Sequence, residues 1–420
     1  MNTNPEQFDY YIPVRKSEIV AAILKDQELA TNDRKPMAEL IRWLALLFHV
    51  EFFASSEHIK ELYVELNPDN PGKDALMSSL HDRNAFLEEL KKILVAANFR
   101  NLSEDEIEEA DAQEGRVQAI IKVAKEVFSD VQFYARGRRL KKFMVPIWFG
   151  LKRKEIEVET FDHVVFCMIP SLAAPPKKLK QSKLRAGAAY LKLFRDIPVG
   201  DIKSLYPNAQ AALGIARKLM ISVPAAVAII PLLLKIIPSV TVLLLVSSAY
   251  LGISGTVEDD TLKKGLAAGA VLAAVIGLGV RQWTSYDRHS LRHQKEVSHN
   301  AQFNKMNNNA GCFDYLIAAS EDAEVKEAFL AYALLHFEGK ALTQPELDAK
   351  IETWFKKKFD VVIDFEIDDA IAKLERLSMV KTVKGKLTPV PISVAIQNCT
   401  DSWRLLSSDI ARGGLDDEFD

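Results

Sequence analysis

The sequence predicts an α+β membrane protein, and three observations predict it. Two long apolar runs lie between Leu219 and Val280, a helical period governs the segments before residue 115 and after residue 325, and strand patterns appear between them, alternation in EIEVETF and a short continuous apolar run in VVFCMI. The order that follows is a helical N-terminal region over 1–115, a small antiparallel β-sheet region with a basic linker over 116–200, and a two-helix transmembrane hairpin with a juxtamembrane helix over 201–300. A C-terminal winged-helix-like domain over 301–400 and an acidic tail over 401–420 complete it. Setting the hairpin aside leaves enough of the 420 residues for two or three domains.

In MAELIRWLALLFHVEFF, Leu40, Trp43, Leu44, Leu47 and Phe48 recur at helical spacing, and Ile59, Leu62, Tyr63 and Leu66 do so before the stop NPDNPG. His49 and His58 on this segment are packing or surface residues. Ser103 with Glu106 fits a capping box that opens the acidic helix SEDEIEEAD. Further on, Ile156 and Val158 alternate with Glu155, Glu157 and Glu159, and Val164 to Ile169 is a short apolar run, so a small antiparallel sheet is expected over Gln132 to Ile169. FYARGRR has two readings: Arg136, Arg138 and Arg139 receive an anionic group, or Gly137 holds a strand-end turn. SLAAPPKKLKQSK reads as a flexible basic linker, either held by anionic headgroups or simply solvated.

Roughly 20 apolar residues in a helix cross the hydrocarbon core of a bilayer. The run from Leu219 to Ser254 carries one charge, Lys235, and the run from Gly265 to Val280 carries none. The crossings are placed at 236–253 and 265–280, with a Pro-broken lead-in over 219–235 that keeps Lys235 at the boundary. Lys and Arg crowd both outer flanks, from Lys177 to Lys218 and from Arg281 to Lys295, whereas the loop SGTVEDDTLKK balances two lysines with three acids. Both termini are therefore expected in the cytoplasm, with the lipid bilayer as a partner. Gly265, Gly269, Ala273 and Gly277 recur every four residues and offer a face for hairpin packing or a homo-dimer. The N-terminus MNTNPEQFDYYIPVRK has neither the apolar core of a secretory signal nor a transit-peptide pattern, so insertion is expected to rely on the internal hairpin.

After the membrane the order is helix, helix, helix, hairpin. Val325, Phe329 and Tyr332 mark the first helix; Thr343 and Glu346 form a capping box for the second, with Leu347, Ile351, Trp354 and Phe355 on one face. Ile367, Ile371 and Leu374 mark the third, and MVKTVKGKLTPV turns back around Lys384-Gly385. That order suits a winged helix, but the third helix opens on Asp364, Glu366, Asp368 and Asp369, which phosphates would repel, so DNA is not expected as a partner.

Motifs for chemistry are nearly absent. The chain has no phosphate-binding Gly-Lys loop, no dinucleotide fingerprint, no HExxH and no GxSxG, so no catalytic residue and no cofactor is assigned. Asp364, Glu366, Asp368 and Glu375 match part of a calcium-loop spacing, but Asp369 stands where that loop needs glycine. His289 and His293 share a helical face without a third ligand, and no metal site is assigned. Cys167, Cys312 and Cys399 suit a reducing compartment. With 54 basic against 57 acidic residues spread along the chain, the charge offers no general case for nucleic acid.

YYIPVRK near the start, LYVELNPD, FYARGRR, YLKLFRDIPVGDIKSLYP, the apolar hairpin, and FNKMNNNAGCFDYLI followed by EDAEVKEAFLAYALL together resemble the uncharacterised family that contains transmembrane protein 143. The resemblance covers nearly the whole chain; it implies a conserved domain without assigned function, no catalytic residues and, the transit-peptide pattern being missing, a bacterial inner-membrane location rather than a mitochondrial one. Two functions stay open. In one, the protein is membrane-anchored and its soluble modules bind or scaffold a protein partner. In the other, it is an enzyme or lipid-handling protein at the anionic headgroup surface, where Arg281, Arg288 and Arg292 hold the anion and Asn307, Asn308 and Asn309 supply hydrogen bonds. The plainer reading of NNNAG is a helix break, since Asn and Gly tolerate left-handed backbone.

Overall fold

The apolar runs FYA and VVFC, buried at every position, and the strand LKLF build a sheet, and long helices with one apolar face pack on it. The computed structural model describes residues 10–70, 80–114, 120–147, 152–212 and 304–416, with scattered positions between 244 and 280. In chain order the elements are α1 (Lys16–Leu24), α2 (Arg34–Tyr63), α3 (Leu80–Ala96), β1 (Arg100–Asn101), α4 (Glu104–Glu114), β2 (Ile120–Lys122), β3 (Phe128–Ile147), β4 (Lys152–Pro170) and α5 (Pro176–Ser182). They continue with β5 (Tyr190–Pro198), β6 (Gln210–Ala212), β7 (Lys305–Asn308), α6 (Gly311–Glu338), α7 (Gln344–Phe359), α8 (Ile367–Arg376), β8 (Val380–Val383), β9 (Lys386–Pro389) and α9 (Ile392–Asp416). Two compact units result: Met1–Glu106, Lys125–Val199 and Asn304–Asp420 form the first, Ile107–Ala124 and Gly200–Phe303 the second. In the second, β2 pairs antiparallel with β6, and Asn208 Nδ2 donates to the Ala124 carbonyl at 2.9 Å.

The first unit rests on a five-stranded antiparallel sheet of order β1-β3-β4-β5-β7. Tyr134, Val165, Cys167, Ile169, Leu191 and Leu193, two apart along their strands, turn to one face and pack against Tyr63, Phe86, Leu90 and the start of α6 at Cys312, Phe313 and Leu316. The rest of α6 enters a second core with α1, the first half of α2, α7, α8 and α9, where Leu40, Leu44, Phe48, Phe329, Leu334, Ile351 and Phe355 meet. One helix therefore passes through both cores. Beyond it, Leu342 bridges to Leu387, α7 and α8 follow, and β8 turns into β9 through Lys384 and Gly385 with φ of 52° and 74°.

Several expectations are revised. The protein is α+β, but among the described residues no helix is long and apolar enough to cross a membrane, which overturns the integral-membrane fold class and the inner-membrane location with cytoplasmic termini. The physical reason lies in polarity. The described helices long enough to cross, α2 with 30 residues, α6 with 28 and α9 with 25, carry charges such as Glu39, Arg42 and Glu51, Glu324, Lys326 and Glu327, or Asp401 and Arg404, and bury apolar residues in protein. The segments expected as spans, 236–253 and 265–280, and the lead-in lie outside the described residues except for isolated positions. Within the small-residue face, Gly277 has open space around its Cβ position.

The strands read as two pieces are one, β4, because the glutamates of EIEVETF occupy the polar positions of a long pairing with β3. Gly137 sits inside β3 rather than at its end: its φ of 72° is left-handed, and a Cβ there would meet Asp162 Cβ at 2.7 Å. The basic linker contains α5. The Thr343–Glu346 box closes at both ends. The Ser103 box closes at one: Ser103 Oγ accepts the Glu106 N–H, while the Glu106 carboxylate turns to Arg100 at 2.6 and 2.9 Å.

Candidate functional site

Tyr10 to Arg15 runs as irregular backbone, Pro13 precluding a helix until α1 opens at Lys16. This segment lies beside the face of α6 that carries Tyr315, Asp322 and Lys326, seven and four residues apart and therefore in one row. Ala318 and Ala319 between them are small enough to leave a cleft of ≈ 300 Å³, floored by Arg136 of β3. A deeper cavity of ≈ 60 Å³ adjoins it and reaches Asn98.

Arg136 decides what the cleft can do. Its side chain is only 5% exposed, one terminal nitrogen donates to the Ala97 carbonyl at 2.7 Å and the other to the Tyr315 hydroxyl at 3.0 Å, and Nε has no partner. The guanidinium lies 4.6 Å from the Phe99 ring centre, 4.7 Å from Tyr11 and 5.8 Å from Tyr315. Among the described residues no carboxylate forms an ion pair with it. Nearby Asp162 is already committed to Arg139 and Lys141, and Asp196 also pairs with Lys141. Ring faces and neutral carbonyls compensate a buried cation only in part, so an anion in the cleft would complete it.

The neighbours are set for binding. Lys326, 6% exposed, holds Asp322 at 2.6 Å and donates to the Ile12 carbonyl at 3.4 Å. Burial raises the Tyr11 phenol, with Arg136 opposing, so it stays a donor at neutral pH. His163, whose ring centre is 5.4 Å from that of Tyr315, is pushed down to about 4 by burial and then by Arg136; it is neutral, and Nδ1 finds no partner.

The turn after α3 connects this cleft to a second polar cluster. Ala97 gives its carbonyl to Arg136, while Asn98, at a left-handed φ of 57°, donates Nδ2 to the Tyr10 carbonyl at 3.1 Å and to Glu327 at 2.7 Å. Glu327, 2.5 Å from the Lys373 ammonium, shares it with Glu324 at 2.6 Å and Asp369 at 2.5 Å. The three carboxylates lie within 4.8 Å of one another, and the cation they surround is Lys373. Burial pushes Glu324 up to about 7, Lys373 offsetting part of it. Lys373 itself is raised: burial opposes, but Glu327, Glu324 and Asp369 outweigh it.

Of the residues expected to contact an anion, the three asparagines do not line this cleft. Arg281, Arg288 and Arg292 lie outside the described residues. Asn307 and Asn308 belong to edge strand β7, and Asn307 Nδ2 donates to the Gly311 carbonyl at 2.9 Å. Asn309, left-handed at φ 51°, donates its N–H to the Leu191 carbonyl and Nδ2 to Asp69 at 2.7 Å, so it joins strand to loop. Of the residues read as anion-binding in the sequence, Arg136 lines the cleft; Tyr11, Asn98, His163, Tyr315 and Lys326 were not singled out. The signal for Lys326 was a charged run, Glu321 to Glu327, leading into a helical stretch, Ala328 to Leu335, that is apolar on every side. Among the described residues no nucleophile stands against a base in the cleft. Burial raises all three cysteine thiols, Cys312 and Cys399 to about 12.

Residues 147–311 match the model of a family described as a protein of unknown function (DUF3754). The match takes in β4, β5 and β7 with His163 and stops where α6 begins; Tyr11, Arg136, Tyr315 and Lys326 lie outside it. It makes no link to the family of transmembrane protein 143. No curated protein and no solved structure matches the chain.

Proposed function

We propose that this is a binding protein rather than an enzyme, and that its ligand or partner presents a carboxylate or phosphate oxyanion to the cleft above Arg136. The partner-binding role expected from the sequence takes this form, with recognition through one charged group. The observation that supports it is the buried guanidinium without a carboxylate, in a cleft at the lower end of the range for small-ligand sites. Catalysis finds no support, because the titratable side chains lining the cleft are arginines, tyrosines and the ion-paired Lys326 and Asp322, and His163, beside Tyr315, is neutral.

The test is calorimetric titration of the full chain with sulfate, standing for phosphate, and with benzoate, standing for a carboxylate. At least one should bind the wild type and raise its melting temperature. Arg136→Gln keeps a donor for Ala97 but removes the charge, so it should weaken binding about tenfold or more while circular dichroism stays unchanged. Equal affinity in the variant, or no binding of either anion by the wild type, sinks the reading.

A further inference from the structure

We infer that oxyanion entry into this cleft is linked to partial proton uptake, the proton passing from solvent to the Glu324 carboxylate in the cluster around Lys373. The inference rests on the oxyanion reading above and adds its regulation by pH. No bond other than that O–H is made.

The geometry carries it in two steps. First, the cluster has an excess of negative charge. Glu324, Glu327 and Asp369 share the Lys373 ammonium at 2.5–2.6 Å, leaving two charges uncompensated when all three are ionised. Glu327 has a second donor in Asn98, and the Asp369 side chain is 44% open to water. Glu324 is enclosed, at 8% exposure, and Lys373 is the cation that touches it among the described residues, so the shared proton belongs on Glu324. Of the other charges facing the cluster, Arg376 of α8 is taken up by Glu51 of α2 at 2.5 and 3.1 Å. Glu366, ahead of α8, is itself pushed up to about 7 by burial and by Asp369 and Glu327, but among the described residues it forms no ion pair with Lys373 and stands outside the shared contact.

Second, the cluster and the cleft meet at one turn. Ala97 touches Arg136, and Asn98, the next residue, touches Glu327 and lines the deep end of the cavity. With the cleft empty, the field of Arg136 favours ionised carboxylates. An anion above Arg136 cancels that field and adds its own, and both effects favour the protonated acid. Glu324 already titrates near neutrality, at about 7, so a small change in field moves a measurable fraction of a proton.

Titrating the full chain with sulfate or benzoate, neither of which changes protonation between pH 6 and 8, in two buffers of different ionisation enthalpy reads the proton directly. The expected result at pH 7 is uptake of about 0.3 proton per anion, with affinity falling about twofold per pH unit between 7 and 8. Glu324→Gln should bind the anion with uptake abolished. Uptake unchanged in Glu324→Gln overturns the inference, as does wild-type binding with no buffer or pH dependence; the wild-type pH series decides should the variant not fold. Absence of any anion binding overturns the oxyanion reading and this one with it, whereas binding without a proton overturns this one alone.

Discussion

A guanidinium kept at 5% exposure by three aromatic rings and two neutral acceptors, and a carboxyl kept at 8% exposure beside two others, are both expensive for folding. For Glu324 the cost has a sign. Its folded pKa is raised from 4.5 to about 7, so the folded state holds the proton more tightly than the unfolded chain does. The stabilisation is complete below about pH 4.5 and is lost as pH rises through about 7. A rise from 4.5 to about 7 corresponds to about 3 kcal/mol at most. Urea titrations of wild type and Glu324→Gln at pH 5 and pH 8 should show the wild type losing about 2 to 3 kcal/mol relative to the variant at the higher pH. A constant difference across that range would mean Glu324 does not titrate there.

At the scale of elements, β3 and β4 place the site. Arg136, Arg138 and Arg139 stand in one run, yet Arg136 alone of the three floors the cleft, because the left-handed Gly137 resets the strand opposite Asp162. Gly137→Ala puts a methyl group within 2.7 Å of the Asp162 side chain at a φ that L residues resist. A loss of about 2 kcal/mol or more is expected, read as a lower denaturation midpoint, together with weaker anion binding. A variant as stable as wild type would show that the strand relaxes around the methyl.

Legibility varied with what fixed each element. The Thr343 capping box and the apolar run at Val164–Ile169 were plain, since local hydrogen bonding and periodicity determine both. Strand β7 was not: KMNN has poor strand propensity and is extended because β5 pairs with it. Of the cleft, Arg136 stood out in FYARGRR, but Tyr11 and Tyr315 are distant in sequence and meet it through tertiary packing alone, which no local pattern records.

For the whole molecule, α6 is the decisive element, because its first turns lie against the sheet and the rest against α1, α2, α7, α8 and α9. Within the first unit the segments before residue 107 and after residue 304 should therefore unfold in one step. Single-tryptophan variants retaining Trp43 of α2 or Trp354 of α7 test this: their urea midpoints should coincide, and two separated transitions would show that the two ends fold independently.

The same arrangement has a consequence during synthesis. The N-terminal helices and four strands of the sheet leave the ribosome well before the strand and helix that close them, since β7 begins only at Lys305 and the buried stretch of α6 extends to Leu335. Until then Leu40, Leu44, Leu47 and Phe48 have no α6 to cover them, and Leu193 waits for its neighbour Asn307. A nascent chain of this kind keeps an open sheet edge and an uncovered apolar face for more than a hundred residues of elongation, on the order of ten seconds. Such a chain calls for a holding chaperone in that interval, and a stop codon anywhere before residue 335 leaves a polypeptide without its central helix complete.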